Sequence, residues 1–280
     1  MRLNLKAQAL LGATLLALLA IAASAPGRAA AMPGPANVDP ALAAAIANPA
    51  RTPAMAARDS VRHPAQELTF FGLKPAMTVV ELWPGVGYWT EILGPYLAAH
   101  GHYYVALPVP GDKGEDEGTA RWRADVGAQA ARFGVIHETM LGAGHIDIAP
   151  PGSADLVLTF RNLHNWMDGG YAEAALSACF RALKSGGILG IEEHRARTDQ
   201  PQDPRAKNGY VRQDYTIDMA KRAGFVLVES SEINANPRDT KDWVDGVWTL
   251  PPTLSQGDKD RERYLAIGEA DNYVMKFRKP

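Results

Sequence analysis

The chain is almost without cysteine: of 280 residues, Cys179 is the only one. That excludes an intramolecular disulfide and a multi-cysteine metal site. Its setting, ALSACFRAL, reads as a helix with apolar neighbours, so Cys179 is expected in the core. The chain also lacks an excess of charge of one sign, the formal net charge being -2. This removes the general electrostatic case for nucleic acid. Beyond the N-terminal leader there is no apolar run long enough to span a bilayer. G-x-G-x-x-G, a phosphate-loop lysine and a G-x-S-x-G elbow are absent too. What remains is 46% apolar and 21% charged residues, the composition of a folded protein with room for one large domain or two small ones.

The N-terminus reads as an export signal. Arg2 and Lys6 precede an almost wholly apolar stretch, Ala9 to Ala25, and Ala29-Ala30-Ala31 offers a small-residue cleavage site before Met32. We expect residues 1–31 to be a signal peptide and residues 32–280 a single domain. The expected location is the periplasm or the secreted fraction, with no stable membrane insertion after cleavage. The leader carries Arg2, Lys6 and Arg28, so the mature chain is more acidic than the full sequence.

From Arg58 onward the pattern alternates. Arg58 to Phe71 reads as a helical approach. Strands are expected at Thr78–Leu82, Tyr103–Val109, Phe133–His137, Asp155–Phe160, Ile188–Glu192, Phe225–Ser230 and Tyr273–Arg278. Helices are expected at Tyr88–Ala99, Thr119–Arg132, Tyr171–Leu183 and Asp214–Arg222. Such alternation predicts a doubly wound, mostly parallel sheet covered on both faces. Ligands in these sheets bind beyond the carboxyl ends of the strands. Residues 231–272 break the rhythm as an insertion between the last two strands, dense in tryptophan and proline, suited to covering a site or forming an interface.

Three segments carry polar residues to those strand ends. In VVELWPGVGYWTEIL, the first strand ends in Glu81, and Gly85 and Gly87 form a tight turn into a helix. Glycine permits close approach of a ligand there, and the helix start offers free N–H groups. In FRNLHNW, Arg161, Asn162, His164, Asn165 and Trp166 cluster where the fourth strand leaves the sheet. His164 suits a general base or a ligand, and Arg161 suits a carboxylate or phosphate. In IEEHRA, the period of two puts Glu192 and His194 on one face and Glu193 on the other. Glu193 is therefore expected to face a helix or form a salt bridge. His164, His194 and a carboxylate are of metal-ligating type, but their spacing matches no known ligand signature, so no metal is expected.

These motifs resemble the exported bacterial predicted methyltransferase family, within the class I S-adenosylmethionine-dependent methyltransferases. The resemblance rests on ELWPGVG, DLVLTFRNLHNW, LKSGGILGIEEHRA, the AGF at Ala223-Gly224-Phe225, and the tail from SEINANPRDTKDWVDGVWTLPP to GEADNYVMKFRKP. It covers roughly Arg58 to Pro280. It implies a Rossmann-like seven-stranded sheet, mostly parallel, whose last strand runs antiparallel between its neighbours. It also implies S-adenosylmethionine as cofactor, with Glu81, Trp83, Gly85, Gly87 and Asn162 as cofactor-binding candidates. Trp83 stands where the class has its first glycine. Leu107 and Pro108 stand where it has an acid for the ribose hydroxyls, and Asp147 is close to, but shifted from, the acid near the adenine.

The functional reading is therefore methyl transfer to an unknown small-molecule acceptor, with His164 or His194 taking the proton and Arg161 orienting an anionic acceptor. Two readings stand beside it. One is a periplasmic ligand-binding or scaffold protein that kept the fold but not the cofactor. The other is a different enzyme that uses His164 and Arg161. Neither the acceptor nor the oligomeric state is readable from the sequence.

Overall fold

A computed structural model describes residues 38–280. The signal-peptide reading lies outside the described residues. Four short helices lead in: α1 (Pro40–Ile46), α2 (Pro53–Ala56), α3 (Asp59–Arg62) and α4 (Pro64–Phe71). The expected continuous approach helix breaks at His63, whose φ of 44° is left-handed, because Pro64 follows it. Then come β1 (Thr78–Leu82), α5 (Thr90–Leu97), β2 (His102–Pro108), α6 (Glu117–Trp122), α7 (Ala130–Phe133), β3 (Ile136–Leu141) and β4 (Ala154–Phe160). The second half holds α8 (Leu163–Asp168), α9 (Ala172–Ala182), β5 (Leu183–His194), α10 (Gln213–Arg222), β6 (Val226–Ser231), α11 (Arg261–Ile267) and β7 (Asn272–Arg278).

The strands form one seven-stranded sheet in the order β3-β2-β1-β4-β5-β7-β6. All pairings are parallel except those of β7, which lies antiparallel between β5 and β6. This is the sheet expected from the sequence. The interiors of the central strands β1 and β4 are buried on both faces, and alternate residues feed opposite cores. Val80 and Leu82 join one cluster with Leu189, Ile191 and Trp166. Val79 joins the other with Ile92, Phe71 and Leu158. The parallel order places the carboxyl ends of β1, β4 and β5 side by side.

Two expectations need correction. The third strand runs over Ile136–Leu141, not Phe133–His137. Phe133 is fully buried at the end of α7, and Gly134, at φ 80°, turns the chain so that the strand starts later. The edge position explains why this strand lacks an apolar run: its middle is mostly exposed. The expected helix Thr119–Arg132 is broken into α6, a wide π turn at Arg123–Gly127, and α7. The buried Trp122 ring packs against Gly127, where a Cβ would lie 2.7 Å from the ring, and its N–H donates to Thr90 Oγ1 at 3.0 Å.

Residues 231–272 fold back over the strand ends. A 3-10 turn (Gly246–Thr249) and α11 pack a small third core of Tyr210, Val247, Leu250, Tyr264 and Ala270.

Candidate functional site

A cavity of about 300 Å³ lies beyond the carboxyl ends of β1, β4 and β5. Its lining includes Glu81, Trp83, Gly85, Arg161, Asn162, His164 and His194, so seven of the eight predicted site residues meet there. The inserted segment adds Val247, Trp248 and Pro251 to Thr253. Gly87 is outside the lining. Its φ is 98°, and a Cβ there would lie 2.8 Å from Val126 Cγ2. That glycine serves the packing of the turn against the π turn and does not face the cavity.

The β4 exit is bent by Arg161, a non-glycine residue at φ 62°. Its N–H donates to Glu192 O at 2.7 Å, tying the turn to β5. Asn162 then caps α8, with its amide donating to Leu82 O at 3.0 Å and Trp83 O at 3.2 Å. That bond pins the β4 exit to the β1 exit. His164 sits in the first turn of α8. The sequence placed it in a loop, and the short helix is what aims it at β5.

Glu193 lies on the face opposite Glu192 and His194, and it meets His164. Its Oε1 is 2.9 Å from His164 Nδ1, and its Oε2 accepts from the His164 backbone N–H at 3.1 Å. It also accepts from the His194 N–H at 2.8 Å. Burial works against the Glu193 charge, but the His164 imidazole and these bonds hold its carboxyl below the ordinary value. A carboxylate beside Nδ1 fixes Nδ1 as the donor, so that the lone pair of the neutral ring is on Nε2.

His194 is oriented in the same way. Its Nδ1 is 2.7 Å from Asn272 Oδ1, and the Asn272 amide donates to Glu192 Oε1 at 2.9 Å. Asn272 thus presents its oxygen to the ring, so Nδ1 is the protonated nitrogen. Burial drives the His194 imidazole down to about 3, so it is neutral at any ordinary pH. The two rings lie 5.3 Å apart. The ligating atoms of His164, Glu193 and His194 fall within 4.8 Å of one another. The Glu193 oxygens are already engaged, and Arg161 sits close enough to depress His194 further, which disfavours a cation.

Sequence reasoning missed several groups. Arg58 and Arg62 line the cavity from the lead-in helices. Their spacing, R-x-x-x-R, was the available signal, since it puts both on one helical face. Glu269, from the segment before β7, accepts from Arg58 and Arg161. Asn234 donates to both Glu67 Oε2 at 2.7 Å and Glu192 Oε1 at 3.1 Å. Burial pushes Glu67 well up and Glu192 up to about 7, with Arg161 opposing the rise at Glu192.

No protein-family model matches the chain, and no curated protein matches it. Solved structures are similar in fold. A SAM dependent methyltransferase from Aquifex aeolicus matches at 14% identity and TM-score 0.54, over 80% of this chain and 93% of that chain. Phosphoethanolamine N-methyltransferase 2 of Haemonchus contortus matches at 15% identity and TM-score 0.53, over 85% and 60%. The [4+2]-cyclase SpnF matches at 16% identity and TM-score 0.51, over 81% of each chain. The chain therefore has the fold of the class I S-adenosylmethionine-dependent methyltransferases. A cyclase among these structures shows that the fold alone does not name the reaction.

The site fits that cofactor at one end. Glu81 lines the cavity, and its Oε1 is buried with no partner among the described residues. Its Oε2 accepts from Thr90 Oγ1 at 2.8 Å and from the Tyr103 hydroxyl. Burial raises its carboxyl to about 7. An ammonium group would pair with the free oxygen. Gly85, at φ 58°, leaves open space beside it. The nucleoside end does not fit as it stands. Leu107, at the end of β2, is fully buried and offers no carboxylate. Asp147 points to solvent and pairs with Arg181 at 3.0 Å. Trp83, at φ 51°, reaches from β1 to the end of β3, where its indole N–H donates to Leu141 O at 3.0 Å. The ring is packed against Trp166 and Tyr171, each 6.3 Å away. A nucleoside entering there has to displace it.

Proposed function

We propose that this chain is an enzyme acting on a small molecule in the cleft, with His164 as general base and methyl transfer from S-adenosylmethionine as its reaction. The observation that carries the reading is the His164–Glu193 pair at the cavity, on a sheet of the methyltransferase kind. Glu193 holds the imidazole in the tautomer with a lone pair at Nε2 and steadies the charge when Nε2 takes a proton. Burial of both partners keeps water from competing. Glu81 would hold the ammonium end of the cofactor, which would supply an electrophilic methyl group. The export signal makes the periplasm or the secreted fraction the proposed location. No helix among the described residues is long and apolar enough to cross a membrane.

A second reading, that the fold is kept without the cofactor, is favoured by the Trp83–Leu141 bond and by Leu107. Calorimetry with S-adenosylmethionine separates the two. Under the first reading the wild type binds, and Trp83→Gly binds more tightly because it opens the nucleoside end and suits the positive φ. If neither protein shows heat at about 1 mM cofactor, where a site worth about 4 kcal/mol is half filled, methyl transfer is excluded.

A further inference from the structure

Arg62 is the unexplained charge of the cleft. The residue is 6% exposed, and it lines the cavity. Its Nε is enclosed without a hydrogen-bond partner among the described residues. The nearest carboxylate oxygen, Glu269 Oε2, is 4.0 Å from it, beyond hydrogen-bond reach. What holds the guanidinium is the face of Tyr88, 4.5 Å away. A buried donor with no acceptor is unfavourable unless a bound group supplies one.

Two other arginines share the cavity. Glu269 Oε1 accepts from Arg58 Nε at 3.0 Å and Nη2 at 2.6 Å, and Glu269 Oε2 accepts from Arg161 Nη1 at 2.6 Å. Three guanidiniums thus surround the Glu269 carboxylate, and Glu192 and Glu193 also act on Arg161. Arg161 and His164 line the same cavity, so a molecule held at Arg161 shares the cleft with the base.

We propose that the cleft takes its small-molecule substrate by an anionic group, a carboxylate or a phosphate, seated between Arg62 and Arg161. Glu269 occupies the arginines until that group arrives. The proposal deepens the reading above and rests on the cleft being the substrate site. It accounts for the empty donors of Arg62, which an anion fills with charge-assisted bonds.

The test is a titration with sodium phosphate, and separately with sodium malonate, at constant ionic strength. It is followed by tryptophan fluorescence, since Trp83, Trp89 and Trp248 line the cavity, and by the melting temperature. The wild type should respond saturably to at least one anion and melt higher with it. The two arms separate a carboxylate from a phosphate. Arg62→Ala should weaken that binding by about tenfold or more, the effect of losing a hydrogen bond to a charged group. Arg62→Lys should recover part of it, and Glu269→Gln should tighten it. Arg205→Ala, on the surface, should change nothing. Without anion, Arg62→Ala should melt at or above the wild type, whereas a purely structural arginine would lower it. If Arg62→Ala does not fold, Arg62→Gln keeps bulk over Tyr88 and replaces it. No saturable response to either anion, or binding untouched by the Arg62 changes, overturns the proposal. The titration uses no cofactor, so its failure leaves the methyl-transfer reading standing, and the reverse holds.

Discussion

The two sides of the cleft floor differ in kind. Over β4 and β5 the rim gathers Arg161, His164, Glu192, Glu193 and His194, nearly all of them buried and hydrogen-bonded. At the ends of β2 and β3 stand Leu107 and Leu141, both fully buried, with Trp83 bonded to the Leu141 carbonyl. Both sides carry a non-glycine residue in the left-handed region at a strand exit, Trp83 on β1 and Arg161 on β4. Such positions are worth about 1–3 kcal/mol of strain each and persist only where the surroundings hold them. At Trp83 the compensation is aromatic packing and one bond to backbone. At Arg161 it is an ion pair that points into the cavity. The chemistry is therefore concentrated on one side, and the other side is filled.

The largest effect should come from the polar side. Glu193→Ala removes the acceptor for His164 Nδ1 and for two backbone N–H groups at a fully buried position. Each buried donor left without an acceptor costs about 1–3 kcal/mol, so the loss should reach several kcal/mol. Urea unfolding should show a loss of that order. A loss under about 1 kcal/mol would mean that the β4–β5 rim is as replaceable as a surface.

Most of this asymmetry was readable in advance, and the reasons differ by residue. Glu192, Glu193 and His194 lie in a strand, where a period of two assigns faces from sequence alone. Strands β4, β6 and β7 were placed to within about a residue at each end, whereas β5 starts at Leu183, ahead of the expected Ile188, because the Ser185-Gly186-Gly187 segment joins the strand. Edge strand β3 was misplaced because its exposed face carries no apolar run. His164 was found as a residue but not as part of α8, since the helix is only one and a half turns long and is stabilised by its contact with β5. The meeting of Arg62 with Glu269 was not legible: they are about two hundred residues apart, and only the folding of the segment before β7 over the lead-in helices brings them together.

Glu81 sits at the boundary between the two sides, and its titration sharpens the comparison. Its folded value of about 7 stands above the ordinary 4.5, with burial as the cause. The folded state then holds this proton more tightly than the unfolded chain. The stability is fully present below 4.5 and is lost as pH rises to about 7, by about 3 kcal/mol at most. Glu81→Gln should flatten the wild-type decline between pH 5 and 8 and be the more stable protein at pH 8. Glu192, also raised to about 7, should leave part of the slope in place. An unchanged slope in Glu81→Gln would show that the β1 exit is wetter than its burial implies.

The smallest effect is expected on the filled side, and its smallness is informative. Asp147, in the loop between β3 and β4, is the acid closest to the position where the sequence resemblance expects one, yet its side chain is 94% exposed and pairs with Arg181. An exposed ion pair contributes about 0–1 kcal/mol. Asp147→Ala should therefore leave stability within about 0.5 kcal/mol of the wild type and leave S-adenosylmethionine affinity unchanged in calorimetry. If that affinity instead falls by about tenfold, a loss of about 1.4 kcal/mol, Asp147 contributes to nucleoside binding. The loop between β3 and β4 must then close inward, and Trp83 must give way to the ligand. The filled side would in that case be a closed state of a working nucleoside site, and the difference between the two sides would reflect what is bound.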